Sequence, residues 1–163
     1  MEDLNWLASK YNSDKGQAKH NYCFLYNLIF QPQWSSILEI GVDKGASINM
    51  WLDYFLSAHI YGIDIFKAPI QHERYTHITG NQNNIGTYST LKDIRFDLII
   101  DDGSHRADDI MITFEYLKKY LTDDALYIVE DLDCKKAEVA IAMLKEKEFY
   151  IINNKLGIYQ NDN

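Results

Sequence analysis

Two groups of carboxylates each follow an apolar run in the sequence. Asp101 and Asp102 follow the run 96–100, and Glu130 and Asp131 follow the run 125–129. If these runs are neighbouring strands, about 4.8 Å apart, the carboxylates of Asp102, Glu130 and Asp131 converge. Such a crevice is costly unless the acids are protonated or bind a cation, and all-oxygen ligands select Mg²⁺, Mn²⁺ or Ca²⁺. We therefore predict a divalent metal site; the alternative is a set of separate helix caps and strand-end acids.

A histidine stands three residues after Asp102. His105 ends the segment Asp102-Gly103-Ser104-His105, near the start of a predicted helix. A helix N-terminus and a nearby divalent cation both disfavour the imidazolium form. A neutral imidazole in this position suits a general base, so we predict that role for His105, against the alternative of an ordinary surface histidine.

A second set of candidate residues surrounds a glycine loop. The segment 39–47 contains Gly41 and Gly45, which let the backbone turn tightly and approach a ligand. The dinucleotide fingerprint requires a third glycine-type position and a small second residue, and Asp43 would repel a pyrophosphate. A phosphate-free cofactor with a cationic sulfonium, S-adenosylmethionine, fits better. Glu39 would face its amino group, and Ser47 or backbone N–H groups its carboxylate.

Further cofactor contacts are predicted at the ends of the next strands. Asp64 ends an apolar run and suits a ribose diol, as an acid does in dinucleotide-binding folds. Asn81 and Gln82 follow the presumed third strand, where an amide suits the adenine edge. The complete predicted cofactor set is Glu39, Gly41, Gly45, Ser47, Asp64, Ile65, Asn81, Gln82 and Asp101.

Alternating helical and strand patterns must position these residues. Helical spacing precedes residue 36, and five apolar runs then alternate with amphipathic segments, one of which has its apolar face at 110, 114, 117 and 121. A closing hairpin is expected from strands at 148–152 and 156–159 around the turn 153–155. This pattern predicts a doubly wound, Rossmann-like α/β fold. We expect a mostly parallel seven-stranded sheet, a C-terminal antiparallel hairpin and helices on both faces. Residues 1–163 are expected to form one domain, with 1–33 as an N-terminal helical cap.

Composition narrows the classes of partner. The 163 residues carry a formal net charge of −8, which disfavours nucleic acid because phosphate binding relies on Lys and Arg. Two cysteines, Cys23 and Cys134, fit neither a disulfide scaffold nor a zinc site. The sequence shows no signal-peptide pattern and no apolar run of about 20 residues, so we expect a cytoplasmic protein without a membrane partner. A homo-oligomer is compatible with the sequence.

The assembled motifs resemble the macrocin- and mycinamicin-type sugar O-methyltransferases, class I enzymes that use S-adenosylmethionine. The resemblance runs from Lys10 to about Asp133. It is carried by the segments 10–16, 20–22, 39–47, 80–82, 101–105 and 130–132, together with Asp64. It implies Mg²⁺-assisted methyl transfer to a sugar hydroxyl, with metal ligands at Asp102, Glu130 and Asp131 and the base at His105. The segment 13–16 and His20 would lie near the cofactor or substrate mouth.

Other functions compatible with the sequence stay open. The same carboxylates would serve a methyltransferase acting on a catechol or another vicinal diol. A non-catalytic cofactor-binding module that regulates a partner would bind the cofactor without turnover. A nicotinamide-dependent enzyme is disfavoured by the missing glycine and by Asp43. We expect a small molecule or a glycan as the acceptor.

Overall fold

The computed structural model describes residues 2–134 and 137–162, which form one seven-stranded sheet flanked by helices. The α-helices are α1 (Leu4–Tyr11), α2 (Tyr22–Ile29), α3 (Ala46–Tyr54), α4 (Ala107–Leu117) and α5 (Ala137–Lys145). The strands are β1 (Ser36–Ile40), β2 (His59–Asp64), β3 (Tyr75–Thr79), β4 (Phe96–Asp101), β5 (Leu121–Val129), β6 (Tyr150–Ile152) and β7 (Leu156–Gln160). None of the described helices is both long and apolar enough to cross a membrane.

The sheet confirms the predicted fold class. Its strand order is β3-β2-β1-β4-β5-β7-β6, in which β1 to β5 pair in parallel and β7 runs antiparallel to both β5 and β6. The chain leaves β1 toward β2 and later returns to the other side of β1 as β4. This reversal creates the crevice at the carboxyl edge of the sheet where ligands of such folds bind.

Side chains of the central strands alternate between two hydrophobic layers. Ile37 and Leu98 pack on one face with residues of α1, α2 and α3. Leu38 and Ile99 point to the other face, where they join Phe114 of α4 and residues of α5. Because both faces are covered, nearly all residues of β1 and β4, and all those of the β5 segment 125–129, are buried, as expected for parallel strands.

The two N-terminal helices pack against the first layer. Asp3 caps α1 by accepting hydrogen bonds from the N–H groups of Asn5 and Trp6. Leu4 and Leu7 of α1 and Tyr26 of α2 are completely buried in the core. The division into one domain with residues 1–33 as a cap stays a prediction.

Two element boundaries differ from the sequence prediction. Strand β5 begins at Leu121, which was expected on a helix face, because Leu121 pairs with Phe96 across an irregular register. Strand β6 begins at Tyr150 rather than at Glu148, since Glu148 has a φ of 66° and lies in the turn that closes α5. A 3-10 helix over Ile85–Leu91 was not predicted.

Candidate active site

A cleft of about 680 Å³ opens at the carboxyl edge of the sheet. Its walls are the loops that follow β1, β2, β3 and β4, together with Lys15 and Asp131. Its size lies within the range of small-molecule and cofactor sites. The predicted site residues that line it are Gly41, Ser47, Asp64, Ile65, Asn81, Gln82, Asp102, His105 and Asp131. Among the described residues, the remaining predicted ones (Glu39, Gly45, Asp101 and Glu130) lie behind the lining rather than in it.

The glycine loop packs directly on the loop that follows β4. Gly41 has a φ of 86°, and a Cβ atom there would lie 1.9 Å from the backbone oxygen of Asp102. The N–H of Asp102 in turn donates a 2.8 Å hydrogen bond to the carbonyl of Ile40. A side chain at residue 41 would therefore push the glycine loop away from the loop that follows β4.

Asp64 ties the glycine loop to the end of β2. Its Oδ2 atom accepts hydrogen bonds from the N–H groups of Val42 (2.8 Å) and Asp43 (2.9 Å), and its Oδ1 accepts one from Phe66. Partial burial raises the pKa of Asp64, but these three bonds outweigh it and lower the pKa below the ordinary value. The carboxylate is thus ionised at the cleft wall and retains lone pairs for a ligand.

Glu39 lies beneath the glycine loop, completely buried. Its Oε2 accepts hydrogen bonds from the Ser47 hydroxyl (2.8 Å) and the Trp51 indole N–H (3.1 Å). Its Oε1 lies 3.4 Å from Nζ of Lys15 and has no hydrogen-bond donor in the described part of the chain. Burial raises the pKa of Glu39 to about 7. Glu39 contacts residues that reach the cleft, and it does not face the cleft itself.

Gln82 joins the loops that follow β3 and β4. Its Oε1 accepts a 2.6 Å hydrogen bond from the N–H of Ser104, and its Nε2 donates to Asp101 at 3.1 Å. Burial raises the pKa of Asp101 to about 7. Since both ends of the Gln82 amide bond protein groups, Asn81 is the more available amide for a ligand.

Asp102, His105 and Asp131 form a cluster of ligand atoms that lie within 4.8 Å of one another. The His105 Nε2 atom lies 4.0 Å from both Asp102 Oδ1 and Asp131 Oδ2. His105 and Asp131 have φ values of 55° and 56°, a left-handed conformation that is uncommon outside glycine. The two carboxylates suit a hard divalent cation, so they fit the predicted metal.

Glu130, the third predicted metal ligand, is buried next to this cluster. Its Oε1 accepts a 2.6 Å hydrogen bond from the Tyr26 hydroxyl, and its Oε2 accepts one from Lys15 at 2.5 Å. Burial raises the pKa of Glu130, and the ion pair with Lys15 opposes that rise. Each engaged oxygen retains a second lone pair, so these hydrogen bonds are compatible with a bound cation. The role of Glu130 as a metal ligand stays a prediction.

Lys15 is a site residue to which sequence reasoning assigned no role. The side chain is 1% exposed, and Nζ lies 2.6 Å from Asp102 and 2.5 Å from Glu130. Burial alone would lower the pKa of Lys15, but the carboxylates of Asp102, Glu130 and Glu39 raise it well above the ordinary value. The sequence signal was its segment 13–16, which was expected near the mouth without an assigned role.

Two further N-terminal side chains approach Asp131. The Tyr22 hydroxyl donates a 2.6 Å hydrogen bond to Asp131 Oδ1, and His20 Nδ1 lies 3.5 Å from the same oxygen. The rings of His20 and Tyr22 stack with centroids 5.2 Å apart. His20 therefore lies beside Asp131, and its place at the cofactor or substrate mouth stays a prediction.

The sheet order, with an acidic cleft at its carboxyl edge, defines the class of Rossmann-like methyltransferases. Residues 38–132 match the family model described as a methyltransferase domain, and the chain belongs to this family.

Comparison with individual proteins confirms the resemblance to the macrocin and mycinamicin type. The chain is 33% identical over 143 residues to demethylmacrocin O-methyltransferase of Streptomyces fradiae, covering 80% of this chain and 36% of that protein. It is 32% identical to mycinamicin VI 2''-O-methyltransferase of Micromonospora griseorubida, with 80% and 36% covered. The chain thus spans little more than a third of the length of these relatives.

A solved structure shares the fold. It is MycE methyltransferase from the mycinamycin biosynthetic pathway, in complex with Mg, SAH and mycinamycin VI. The TM-score is 0.86 at 23% identity, and the alignment covers 99% of this chain and 55% of that one.

Proposed function

We propose that the protein transfers a methyl group from S-adenosylmethionine to a sugar hydroxyl, with a divalent cation assisting. The acceptor would be a polysaccharide or a glycosylated small molecule. The observation that carries this proposal is the cluster of Asp102, His105 and Asp131 at the wall of a cofactor-sized cleft. The activities named for the relatives, which act on macrocin- and mycinamicin-type compounds, support a sugar acceptor.

The cofactor would lie along the loops at the ends of β1, β2 and β3. Asp64 is ionised at the cleft wall and would accept hydrogen bonds from the ribose diol. Ile65 is 57% exposed beside it, so it offers apolar surface to the adenine. Asn81 offers its amide to the base edge, and Ser47 would face the amino-acid end. Glu39, Gly45 and Asp101 would support these contacts from behind, and Gln82, at the cleft wall, would hold the loops after β3 and β4 together.

The metal would be held by Asp102 and Asp131, with Glu130 as the predicted third carboxylate. A divalent cation would supply the positive charge that lowers the pKa of an acceptor hydroxyl. His105 would take the proton of that hydroxyl at Nε2, the ring nitrogen that faces both aspartates. The side chains of Asp102 and Asp131 would orient the acceptor so that its oxygen points toward the methyl group.

A methyl-transfer assay tests this function and separates it from its competitors. The protein would be incubated with methyl-labelled S-adenosylmethionine, with Mg²⁺ or with EDTA, and with three acceptors. These are a demethylated macrolide glycoside, a free deoxysugar and a catechol. Mg²⁺-dependent methyl transfer to a sugar supports the proposal. Transfer to the catechol alone would instead make the protein a vicinal-diol methyltransferase. Cofactor binding without transfer to any of them would favour the non-catalytic module.

A further inference from the structure

The buried Lys15 side chain joins three parts of the carboxyl edge of the sheet. Its Nζ atom contacts Glu39 of β1, Asp102 after β4 and Glu130 after β5, at 3.4, 2.6 and 2.5 Å. The side chain is 1% exposed, and those of Glu39 and Glu130 are 0% and 2% exposed. Few proteins bury a lysine to this extent unless it is paired.

These carboxylates need a positive charge close to them. Like charges that share a crevice repel each other, and buried carboxylates lose the solvation that stabilises them in water. Asp102 Oδ2 and Glu130 Oε2 both lie within hydrogen-bond distance of the same ammonium group. Lys15 therefore supplies a compensating charge without any bound ion.

The ammonium group and the cleft cluster use different oxygens of Asp102. Oδ2 faces Lys15, whereas Oδ1 faces His105 Nε2, which also faces Oδ2 of Asp131. Asp102 is thus held from behind while its other oxygen stays directed at the cluster. A cation that enters from the cleft meets this carboxylate already oriented.

The backbone around Lys15 is fixed to the same helix that binds Glu130. The carbonyl of Lys15 accepts a 3.0 Å hydrogen bond from the N–H of Cys23 in α2. Tyr26, on the next turn of α2, donates its hydroxyl hydrogen bond to Glu130. Lys15 and Glu130 are therefore anchored to one rigid element, which favours a defined position for the ammonium group.

We propose that Lys15 is a built-in counter-cation, a positioning residue that keeps Asp102 and Glu130 assembled when no divalent cation is bound. This inference rests on the metal site proposed above. It implies that the lysine and the metal partly replace each other: each one neutralises the same carboxylates from its own side. A lysine that only tethers the N-terminal segment to the sheet would have no such relation to the metal.

The test compares how strongly metal stabilises two versions of the protein. Thermal melting would be measured in EDTA and in saturating Mn²⁺ for the wild type and for Lys15→Met, with Mn²⁺ binding followed separately by EPR. Lys10→Met is the matched control, because Lys10 is paired with the half-buried Asp53 on α3 and does not line the cleft. Lys15→Arg is the conservative variant that keeps the charge.

We expect Lys15→Met to lower the melting temperature in EDTA more than in Mn²⁺, so that its metal-induced shift is at least twice that of the wild type. Lys10→Met and Lys15→Arg should keep a shift close to the wild-type value. A shift in Lys15→Met equal to or smaller than that of the wild type would overturn the inference while leaving the metal site intact. Failure of the wild type to bind Mn²⁺ would overturn the metal site itself, and the inference with it.

A second variant decides the matter if Lys15→Met does not fold in either condition. Glu130→Gln would then be added to it, which removes the unpaired buried carboxylate together with the lysine. Recovery of a folded protein supports the role of Lys15 as a counter-charge. A double variant that stays unfolded shows that Lys15 acts through something other than the charge of Glu130, and overturns the proposal.

Discussion

The hydroxyl of Tyr22 donates a 2.6 Å hydrogen bond to Oδ1 of Asp131, although 109 residues separate them in the chain. One helical turn later, Tyr26 makes the corresponding bond to Glu130. Two tyrosines on one face of α2 thus bind the two successive carboxylates that follow β5. The N-terminal helices therefore help to orient the acidic side of the cleft.

Tyr22→Phe should weaken the metal site while leaving the fold intact. The substitution removes only the hydroxyl that orients Asp131, and loss of such an outer contact costs about 10-fold or more in metal affinity or activity. We expect Mn²⁺ affinity to fall by about this factor, measured by EPR titration, with an unchanged circular dichroism spectrum. Tyr150→Phe, at an exposed position of the hairpin, is the control. Equal Mn²⁺ affinity in Tyr22→Phe and the wild type would show that the hydroxyl does not orient the site.

His105→Ala should slow methyl transfer without weakening cofactor binding. A general base contributes about 10² to 10⁴ in rate, whereas the loops expected to hold the cofactor are untouched by this change. The turnover number would be measured with labelled cofactor, and affinity by calorimetry. His72→Ala, at an exposed position after β2, should match the wild type in both. Unchanged turnover in His105→Ala would remove His105 as the base.

Asp64→Asn should lower the affinity for S-adenosylmethionine. The amide group carries no charge and has only one acceptor oxygen, so it cannot accept hydrogen bonds both from Val42 and Asp43 and from Phe66. Hydrogen bonds to a charged group contribute about 1.5–3 kcal/mol, so we expect roughly a 10- to 100-fold rise in Kd. Asp123→Asn, on the exposed part of β5, is the control. A Kd within a factor of two of the wild type would argue against a ribose contact at Asp64.

Cys23 should resist thiol reagents in the native protein. Burial in α2 raises the pKa of its thiol to about 12, so very little thiolate is present near neutral pH. In a Cys134→Ser variant at pH 8, labelling should be about 1000-fold slower in buffer than in denaturant. The Cys23→Ser variant, which keeps the half-buried Cys134, is the control. Rapid native labelling of Cys23 would show that α2 does not pack as described.

Much of the sheet could be predicted because its central strands contain short, mostly apolar runs between polar turns. The turn at Asn153 and Asn154 could also be predicted, because asparagine tolerates the left-handed conformation. Both residues adopt a positive φ in the structure. The start of β5 was misplaced because Leu121 follows an amphipathic helix without an intervening turn signal. An apolar residue in that position fits either element, and only its pairing with Phe96 decides between them.

The site was predictable where the chain places a residue directly at a strand end. Asp102, His105 and Asp131 follow strands, and the structure brings them together. Lys15 could not be assigned a role, because its partners Asp102 and Glu130 lie 87 and 115 residues further along the chain. Local patterns carry no information on such long-range pairs.

Residues within the strands gave the weakest site predictions. Glu39 and Asp101 were expected to touch the cofactor, yet both are buried beneath the loops that line the cleft. A sequence shows that a carboxylate belongs to a strand end, but its orientation depends on which face the register selects. Their assignment as direct contacts therefore stays a prediction, and the structure favours a supporting position.

Calorimetric titration with S-adenosylmethionine tests the central claim most directly. The purified protein would be titrated with and without Mg²⁺, with NAD as the control ligand. We predict one site per chain with micromolar affinity for S-adenosylmethionine in both conditions, and no binding of NAD. Absence of S-adenosylmethionine binding in both conditions, or tighter binding of NAD, would contradict the account.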